Sequence, residues 1–269
     1  MLTRLLNHYG FWLAVVSLVA AVAERIRPWR PQQPVLRPQL LQDLFWFGFN
    51  GYALGLLIWP LIGELGAGID RGFTAVANIG PQQIQLLARQ PLWIQLPALL
   101  LAADLVEWMV HNLLHRLGPL WLIHRVHHSI HDMDWIGNFR FHFLEVVLYQ
   151  GVKHLPLALL GADPRTLLVA GVLSTLIGHL NHANLAISWG PGRFLLNSPR
   201  MHIWHHEAAL RGRAGVNFGV VFSVWDWVFG TAYMPGDGSV PQRLGFADDG
   251  TFPDALWRRF LLLPRRRGS

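Results

Sequence analysis

Residues 91–116 of the chain read PLWIQLPALLLAADLVEWMVHNLLHR, an apolar run that passes directly into His111 and His115. A helix that starts near Pro91 would place these two histidines about 30 and 36 Å along its axis, at 1.5 Å per residue. The hydrocarbon layer of a membrane is about 30 Å thick. The stretch therefore predicts a membrane-crossing helix that presents histidine at the level of the lipid head groups.

The composition of the whole chain is that of a membrane protein. Hydrophobic residues make up 52% of the 269 residues and charged residues only 14%, which is too apolar for an ordinary soluble domain. The 13 Trp and 15 Phe are typical of membrane interfaces and argue against a disordered or collagen-like chain. Because the chain has no Cys, disulfides, thiolate metal sites and cysteine nucleophiles are excluded.

The net charge of +6 does not indicate nucleic-acid binding. The positive residues lie beside apolar runs and in the tail, as expected for contacts with anionic lipid, and no basic stripe with interleaved aromatic residues accompanies them. Arginine is abundant whereas Lys153 is the single lysine. This bias suggests a GC-rich genome and hence a bacterial inner membrane, with the endoplasmic reticulum membrane as the alternative in a eukaryote.

Two further apolar runs precede residue 91. Phe11–Ala23 is followed by an arginine cluster, which predicts a retained anchor, although its last three residues also fit a signal-peptide cleavage site. Leu44–Gly63 carries no formal charge over twenty residues and predicts a second crossing. Residues 68–90 mix apolar and amide side chains around Gly80-Pro81, and we expect a loop or a helix on the membrane surface.

The arginines of the first loop predict the orientation; they are Arg25, Arg27, Arg30 and Arg37. Positive loops stay in the cytoplasm, so the second crossing should leave it and the third should return the histidines to it. Phe143–Leu160 and Thr166–Ile177, separated by the turn-like Gly161–Pro164, predict a helical hairpin that enters from the cytoplasmic side. Residues 181–269 contain no run long enough to span and should form a cytoplasmic cap.

Ten of the 14 histidines fall into four short patterns: His111 and His115; His124, His127 and His128; His179 and His182; and His202, His205 and His206. Residues at i, i+3 and i+4 share one face of a helix, so each triplet should point its imidazoles in one direction. Neutral imidazole suits Fe, Zn, Cu and Ni, and ten imidazoles exceed what one ion accepts, so we expect two metal ions. Isolated histidines such as His8, His131 and His154 should instead be satisfied by water or hydrogen bonds.

Acidic residues accompany the first histidines. Asp104, Trp108, His111 and His115 fall on one helical stripe, where a carboxylate could accept the N–H of an imidazole and fix its tautomer. Asp104 and Glu107 are costly at the end of a membrane span, which makes them functional candidates. The alternative is that both simply reach the membrane interface.

The order of these motifs resembles the fatty acid hydroxylase/sterol desaturase superfamily. The resemblance covers about residues 99–235 and rests on H-x-x-x-H (111–115), H-x-x-H-H (124–128), R-x-H-x-x-E (140–145), H-A-N (182–184) and P-x-x-H-x-x-H-H (199–206). Asn217-Phe218-Gly219, Trp225-Asp226 and Phe229-Gly230-Thr231 are similar to the segment that follows the last histidine motif of that superfamily.

This resemblance implies an integral-membrane, mostly α-helical enzyme whose histidines hold two iron ions and use O2 to oxidise a C–H bond of a fatty-acyl, sterol or related lipid. It implies hydroxylation, monooxygenation or desaturation, and zinc could substitute for iron. Carried over motif by motif, the metal ligands are His111, His115, His124, His127, His128, His182, His202, His205 and His206, with His179 added as a tenth. Asp104, Glu145 and Asp226 are the catalytic candidates, and His142 is expected to support the site rather than bind metal.

Electrons for such a reaction must come from outside the chain. No Cys and no H-P-G-G segment of a fused cytochrome b5 occur, so an external reductase, ferredoxin or cytochrome b5-like donor is expected. Arg211, Arg213 and the basic tail could dock an acidic carrier, or they could form a rim that faces the membrane.

Other functions fit the sequence less well. A zinc-protease motif is absent because Leu210 stands where the second histidine of H-E-x-x-H would be, and no G-x-S-x-G occurs. A non-enzymatic metal-binding or metal-transporting protein is the alternative, although transport requires polar residues through the spans. A haem protein would instead need separated histidine pairs within spans.

The expected fold is therefore an all-α integral membrane protein with about three transmembrane helices, a helical hairpin and a histidine-rich cytoplasmic cap with a two-metal site. We divide the chain into membrane-anchor helices and a loop (1–98), a fatty acid hydroxylase-like catalytic domain (99–235) and a basic tail (236–269). The tail ends in Arg265-Arg266-Arg267.

Overall fold

The computed structural model describes residues 6–252 and 255–262. Within these ranges the structure is helical, and pairing between extended segments is limited to two isolated bridges. The arginines at 265–267 lie outside the described residues. The all-α prediction is thus confirmed.

Among the described residues, three helices are long and apolar enough to cross a membrane: α1 (Tyr9–Ile26), α5 (Leu92–Arg116) and α7 (Phe143–Leu160). The runs predicted from Phe11 and from Pro91 therefore form helices of the expected type. The hairpin is also present, because α8 (Pro164–His182) follows α7 after a short turn. Gly161 ends α7 with φ of 64°, and the Asp163 carboxylate accepts the Arg165 and Thr166 N–H groups at the start of α8.

The second predicted crossing is bent rather than straight. It consists of α2 (Leu40–Gly48), a π-helical turn (Phe49–Ala53) and α3 (Leu54–Ala77), and its two halves, Leu40–Leu57 and Pro60–Ala77, meet at 58°. Pro60 lacks the N–H that an α-helix needs, and a π-turn inserts an extra residue, so both interrupt a straight helix.

The segment predicted as a loop or surface helix after residue 68 is only partly so. Its first ten residues belong to α3, which ends where Asn78 adopts a left-handed conformation with φ of 56°. The short α4 (Pro81–Ile84) follows. Asn tolerates positive φ better than most residues, which explains why the helix ends there and not at Gly68.

The membrane helices pack into one bundle beside the histidine segments. Helix α1 packs on α8, α3 on α7, and α5 on both α7 and α8. Leu99 and Leu100 of α5 form a buried cluster with Ala170 of α8. The remaining helices are α6 (Gly118–His128), α9 (Pro199–His205), α10 (Val224–Val228) and α11 (Leu256–Phe260), with 3-10 turns at Trp135–Phe139, Gly190–Phe194 and Asp249–Thr251.

Buried ion pairs hold the loop after α1 against the histidine region. Arg37 donates two hydrogen bonds to Asp134, at 2.8 and 2.7 Å, and also pairs with Asp43, which in turn accepts a hydrogen bond from Arg140. The side chain of Arg37 is fully buried. The sequence predicts Arg37 as a loop cation that helps to set orientation; in the structure its guanidinium lies buried between Asp43 and Asp134 and ties the loop to the histidine region.

Candidate metal centre

Five imidazoles converge where α5 meets α6. Helix α6 begins two residues after α5 ends, so their histidines face each other across a tight corner. The Nε2 atoms of His111 and His124 lie 3.1 Å apart, and His128 Nε2 lies 3.1 Å from His115 Nε2 and 3.0 Å from His205 Nε2. We call these residues the five-histidine group: His111, His115, His124, His128 and His205.

A second set lies beside the first and includes the end of α8. His182 Nε2 is 3.3 Å from the Nε2 atoms of both His127 and His202, and His202 Nε2 is 3.2 Å from His206 Nε2. We call these four residues the four-histidine group: His127, His182, His202 and His206. In each group the candidate ligand atoms lie within 4.8 Å of one another. Ligands on opposite sides of one ion would be separated by about 4 Å, so this spacing suits one metal ion per group.

The histidine triplets do not point in one direction, which corrects the sequence interpretation. His124 and His128 of α6 join the five-histidine group, whereas His127 joins the other. In the second triplet His205 joins the five-histidine group and its two neighbours join the other. Positions i and i+4 lie on nearly the same azimuth of a helix, whereas i+3 is turned by about 60° from i, so each triplet can serve two adjacent ions.

Backbone carbonyls orient several imidazoles. His111 Nδ1 lies 2.7 Å from Phe218 O, His205 Nδ1 lies 2.8 Å from Val216 O, and His182 Nδ1 lies 2.9 Å from Gly178 O. A carbonyl oxygen only accepts hydrogen bonds, so Nδ1 of each ring must carry the proton. Nε2 of each ring is then a free lone pair that faces the centre of its group.

The unprotonated Nε2 atoms of neighbouring rings face each other so closely that their lone pairs repel unless a cation lies between them. His124 Nδ1 donates to the Glu145 carboxylate at 2.9 Å, so neither Nε2 of the 3.1 Å His111–His124 contact carries a proton. The same holds for His127 and His182, because His127 Nδ1 lies 3.2 Å from Arg140 O. Two imidazole lone pairs cannot form a hydrogen bond with each other, whereas a metal ion between them would satisfy both. The donor set therefore fits two ions that prefer nitrogen.

Burial keeps these rings in the neutral form that binds metal. Burial, assisted by the neighbouring imidazoles, lowers the pKa of His205 to about 3. The pKa values of His127, His128, His202 and His206 lie well below the usual value for the same two reasons. Protons therefore do not compete for these nitrogens near neutral pH.

Among the described residues, the carboxylate that accepts a hydrogen bond from an imidazole of the two groups is Glu145, not Asp104. Asp104 instead accepts hydrogen bonds from the backbone N–H groups of Val221 and Phe222, at 2.6 and 3.0 Å, and from Trp225 Nε1 at 3.0 Å. The helical stripe predicted a contact with histidine on α5. The structure turns Asp104 toward the 221–225 segment, so it fixes that segment against α5, and within the described residues no hydrogen bond joins it to an imidazole.

Asp226 acts on the site through the loop before it. Its carboxylate accepts the backbone N–H groups of Phe218 and Gly219, both at 2.9 Å, and Trp108 Nε1 at 3.0 Å. This loop carries the carbonyls that hold His111 and His205. The sequence does not predict these carbonyls because a backbone oxygen has no residue signature; the nearest signal is the Asn217-Phe218-Gly219 motif.

His179, predicted as a ligand, and His142, predicted as a supporting residue, both lie outside the two groups. His179 Nε2 lies 3.0 Å from Ser17 Oγ, and its Nδ1 lies 3.1 Å from Trp135 O, so the ring links α8 to α1 and to the 3-10 turn. His142 accepts the Leu144 N–H at the start of α7 and lies 2.9 Å from Phe260 O. The structure thus brings together nine of the ten candidate ligands and leaves His179 apart.

A large cavity reaches the inner side of both groups. Its volume is about 1190 Å³, and its walls are formed mainly by α3, α5, α7 and α8. Histidines of both groups line one end: His111, His124, His127, His182 and His202. A smaller cavity of about 260 Å³ reaches His115, His128 and His205 from another side.

Fold and site define a class, a helical membrane protein in which two histidine clusters line a cavity between the candidate membrane helices. Residues 96–231 match the model of the family described as fatty acid hydroxylase, which is half of the chain. The chain belongs to the fatty acid hydroxylase family, as its motifs had predicted.

The chain is also similar to characterised lipid enzymes. It is 33% identical to the ornithine lipid hydroxylase OlsE of Rhizobium tropici over 145 residues. This aligned segment is 54% of this chain and 44% of the relative. It is 29% identical to the alkylglycerol monooxygenase of Danio rerio, and the alignment covers 49% of this chain and 29% of that relative. It is 25% identical to the alkylglycerol monooxygenase of Caenorhabditis elegans, and the alignment covers 48% of this chain and 25% of that relative. The matched segment spans less than half the length of these relatives. No solved structure matches the chain.

Proposed function

We propose that the protein is an O2-dependent membrane lipid oxidoreductase with two iron ions held by the two histidine groups. Of the possible reactions, we favour hydroxylation or monooxygenation over desaturation. One observation carries the proposal: the cavity between membrane helices ends on the metal-facing side of both groups. A long lipid can enter such a cavity from the bilayer, and O2 can follow the same apolar path. The relatives support this reading because their names describe lipid hydroxylation and monooxygenation.

The iron pair would supply the redox capacity that breaking an unactivated C–H bond with O2 requires, and which side chains alone lack. The residues of this chain bind and orient. The carbonyls of Phe218, Val216 and Gly178 hold their imidazoles by the Nδ1 proton, and the Glu145 carboxylate holds His124. Leu99, Leu100 and Ala170 make part of the cavity wall apolar, which suits an alkyl chain.

We further propose a bacterial inner membrane with the histidines on the cytoplasmic side, or the endoplasmic reticulum membrane in a eukaryotic cell. Electrons would come from an external reductase, ferredoxin or cytochrome b5-like protein. The arginine-rich loop after α1 supports the orientation, and the absence of Cys from the chain supports an external donor.

The proposal is tested with purified protein and with lipid profiles of cells that do and do not express the chain. We expect about two iron ions per chain, no Soret band, and oxidised lipid only in expressing cells. His127→Ala and His205→Ala, one from each group, should each lose metal and lipid oxidation together. His131→Ala is the matched control, because His131 is half exposed and contacts Asp249 instead. Full activity in both ligand variants would defeat the proposal, and bound metal with unchanged lipids would favour a metal-binding or transport protein.

A further inference from the structure

A charged pair lies inside the cavity, one helical turn from the histidines. Lys153 of α7 donates a hydrogen bond to Glu107 of α5, and both residues line the cavity. The two side chains are 14% and 17% exposed, so part of each charge faces the cavity. Charges within membrane helices are costly and are retained mainly where they pair or bind something.

Three of the four helices around the cavity, α5, α7 and α8, change from polar to apolar side chains with distance from the histidines. On α5, Glu107 lies four residues before His111, and Leu99 and Leu100 lie about two turns further away. On α7, Glu145 is followed at intervals of four by Tyr149, Lys153 and Leu157. At 1.5 Å per residue, Glu107 lies about 6 Å along α5 from the level of His111.

Helix α8 also changes from polar to apolar side chains with distance from the histidines, although its histidine end is its C-terminus. His182 lies at the histidine end, Thr175 lies about two turns below it, and Ala170 and Leu167 line the far end. The far end also contains Leu157 and Ala162 of the hairpin turn region. The cavity thus has a polar half beside the histidines and an apolar half near the tip of the hairpin.

We propose that this cavity binds its lipid head first, with Glu107 and Lys153 recognising a zwitterionic head group that carries an ammonium and an anionic group. The inference rests on the proposed function and names its substrate class. The ammonium takes the Glu107 carboxylate, the anion takes the Lys153 ammonium, and the alkyl chain fills the apolar half. The opposite orientation would press an alkyl chain against two charges and remove their remaining solvation without compensation.

The orientation fixes where oxidation occurs. The pair lies one helical turn from His111, so the C–H bonds near the histidines belong to the head group or to the first carbons of the chain. The distal half of the alkyl chain lies toward Leu157 and Leu167, away from both histidine groups.

The test measures lipid binding to the full chain in detergent micelles after metal removal by a chelator. Three single-chain probes share a palmitoyl chain: N-palmitoyl-lysine, palmitoyl-lysophosphatidylethanolamine and 1-palmitoylglycerol. We expect one zwitterionic probe to bind at least about tenfold more tightly than the neutral glyceride, because charge-assisted hydrogen bonds are the stronger ones. The better of the two tells whether the anion is a carboxylate or a phosphate.

Variants assign the preference to the pair. Glu107→Gln and Lys153→Met should each reduce the ratio of zwitterionic-probe affinity to glyceride affinity to about twofold or less. The double variant Glu107→Lys/Lys153→Glu should keep the pair, the fold and part of the preference. Glu64→Gln and Arg71→Met are matched controls, because both residues are exposed charges of α3. Equal binding of all three probes by the unmodified chain, or a preference that survives both single variants, would overturn the proposal.

A second readout uses the metal-loaded protein and a zwitterionic probe. Mass spectrometry should locate the new oxygen in the head group or the first carbons of the chain; oxygen in the distal half would contradict head-first binding. The two proposals can fail separately. A head-group preference without any oxidation would defeat the proposed function alone, and oxidation without a preference would defeat this inference alone.

Discussion

The five-histidine and four-histidine groups differ in how the protein holds the ring nitrogens that face away from the centre. In the first, His111, His124 and His205 each place Nδ1 against an acceptor within 2.9 Å. In the second, the Nδ1 atoms of His202 and His206 are buried and have no hydrogen-bond partner among the described residues. Three of the five imidazoles in the first group are therefore oriented by the protein alone, whereas two of the four in the second would gain their orientation only from a bound metal ion.

This difference teaches which contacts each ion would depend on. A preoriented imidazole loses little conformational freedom when it binds metal. The five-histidine group also keeps four imidazoles when one is removed, so its site stays nearly complete. The four-histidine group has four imidazoles and fewer fixed rings, so each one matters more. We expect its ion to be the first to leave in a chelator titration.

The largest effect should come from removing a ligand of the four-histidine group. His182→Ala leaves three imidazoles, so we expect about one ion per chain instead of two and no lipid oxidation. Loss of a residue that only orients a ligand lowers metal affinity by up to roughly 100-fold. Loss of the ligand His182 itself should lower the metal affinity of the four-histidine group by more than that. His115→Ala leaves four imidazoles in its group and should keep both ions with weaker affinity. Metal content by mass spectrometry distinguishes the two.

His179→Ala provides a matched control for that experiment. His179 lies on the same helix as His182 and is fully buried, yet it contacts Ser17 and Trp135 rather than either group. We expect it to retain both ions. Loss of an ion from His179→Ala would restore the ligand role that the sequence had predicted for this residue.

The next largest effect should be on stability, at the ion pairs behind the four-histidine group. Asp43 pairs with Arg37 and Arg140, and the Arg140 carbonyl accepts the His127 Nδ1–H. Asp43→Asn leaves two buried guanidinium groups short of a negative charge, and breaking such a pair costs about 3–5 kcal/mol. Thermal unfolding should show a large decrease in Tm, whereas Asp237→Asn, in an exposed turn, should change little. Equal Tm values would mean that the buried pairs do not stabilise the fold.

A smaller and selective effect is expected at Glu145. Glu145→Gln removes the charge that accepts the His124 Nδ1–H and should weaken metal binding by the five-histidine group by about 10- to 100-fold. The four-histidine group should be unaffected, because Glu145 contacts none of its rings in the described structure. A two-step chelator titration separates the groups, with Glu64→Gln as the control. A change confined to the weaker ion would contradict our assignment of Glu145 to the five-histidine group.

The sequence predicted those parts of the molecule that repeat at helical spacing. His111 and His115, and the ends of α7 and α8 at Gly161 and Pro164, follow from helix periodicity and from turn chemistry. The spacing within each triplet allows its i+3 member to face away from the i and i+4 members, but the sequence does not tell which imidazoles of other helices each face meets, so the two groups could not be assembled from spacing alone. The same reason applies to Asp104 and Glu145: a helical stripe tells which residues share a face but not what lies opposite that face.

The loop after α9 supports the five-histidine group by backbone alone, and its conformation depends on Asn217. Asn217 has φ of 57°, and its side chain donates hydrogen bonds to Met201 O and Tyr233 O and accepts one from the Tyr233 N–H, all at 2.7 Å. Its neighbours Val216 and Phe218 supply the carbonyls that hold His205 and His111. One amide side chain therefore sets the geometry of two ligand contacts.

Asn217→Gly should give the smallest effect. Glycine tolerates the positive φ, so the substitution removes the hydrogen bonds without adding backbone strain and costs about 1–3 kcal/mol of stability for the groups left unsatisfied. Metal affinity of the five-histidine group should fall by less than about tenfold, because its carbonyl contacts can partly re-form. Asn78→Gly is the matched control, since Asn78 has the same left-handed conformation at an exposed helix end. If both variants bind metal alike, the five-histidine group is oriented by its own packing, and the contrast with the four-histidine group rests on Glu145 alone.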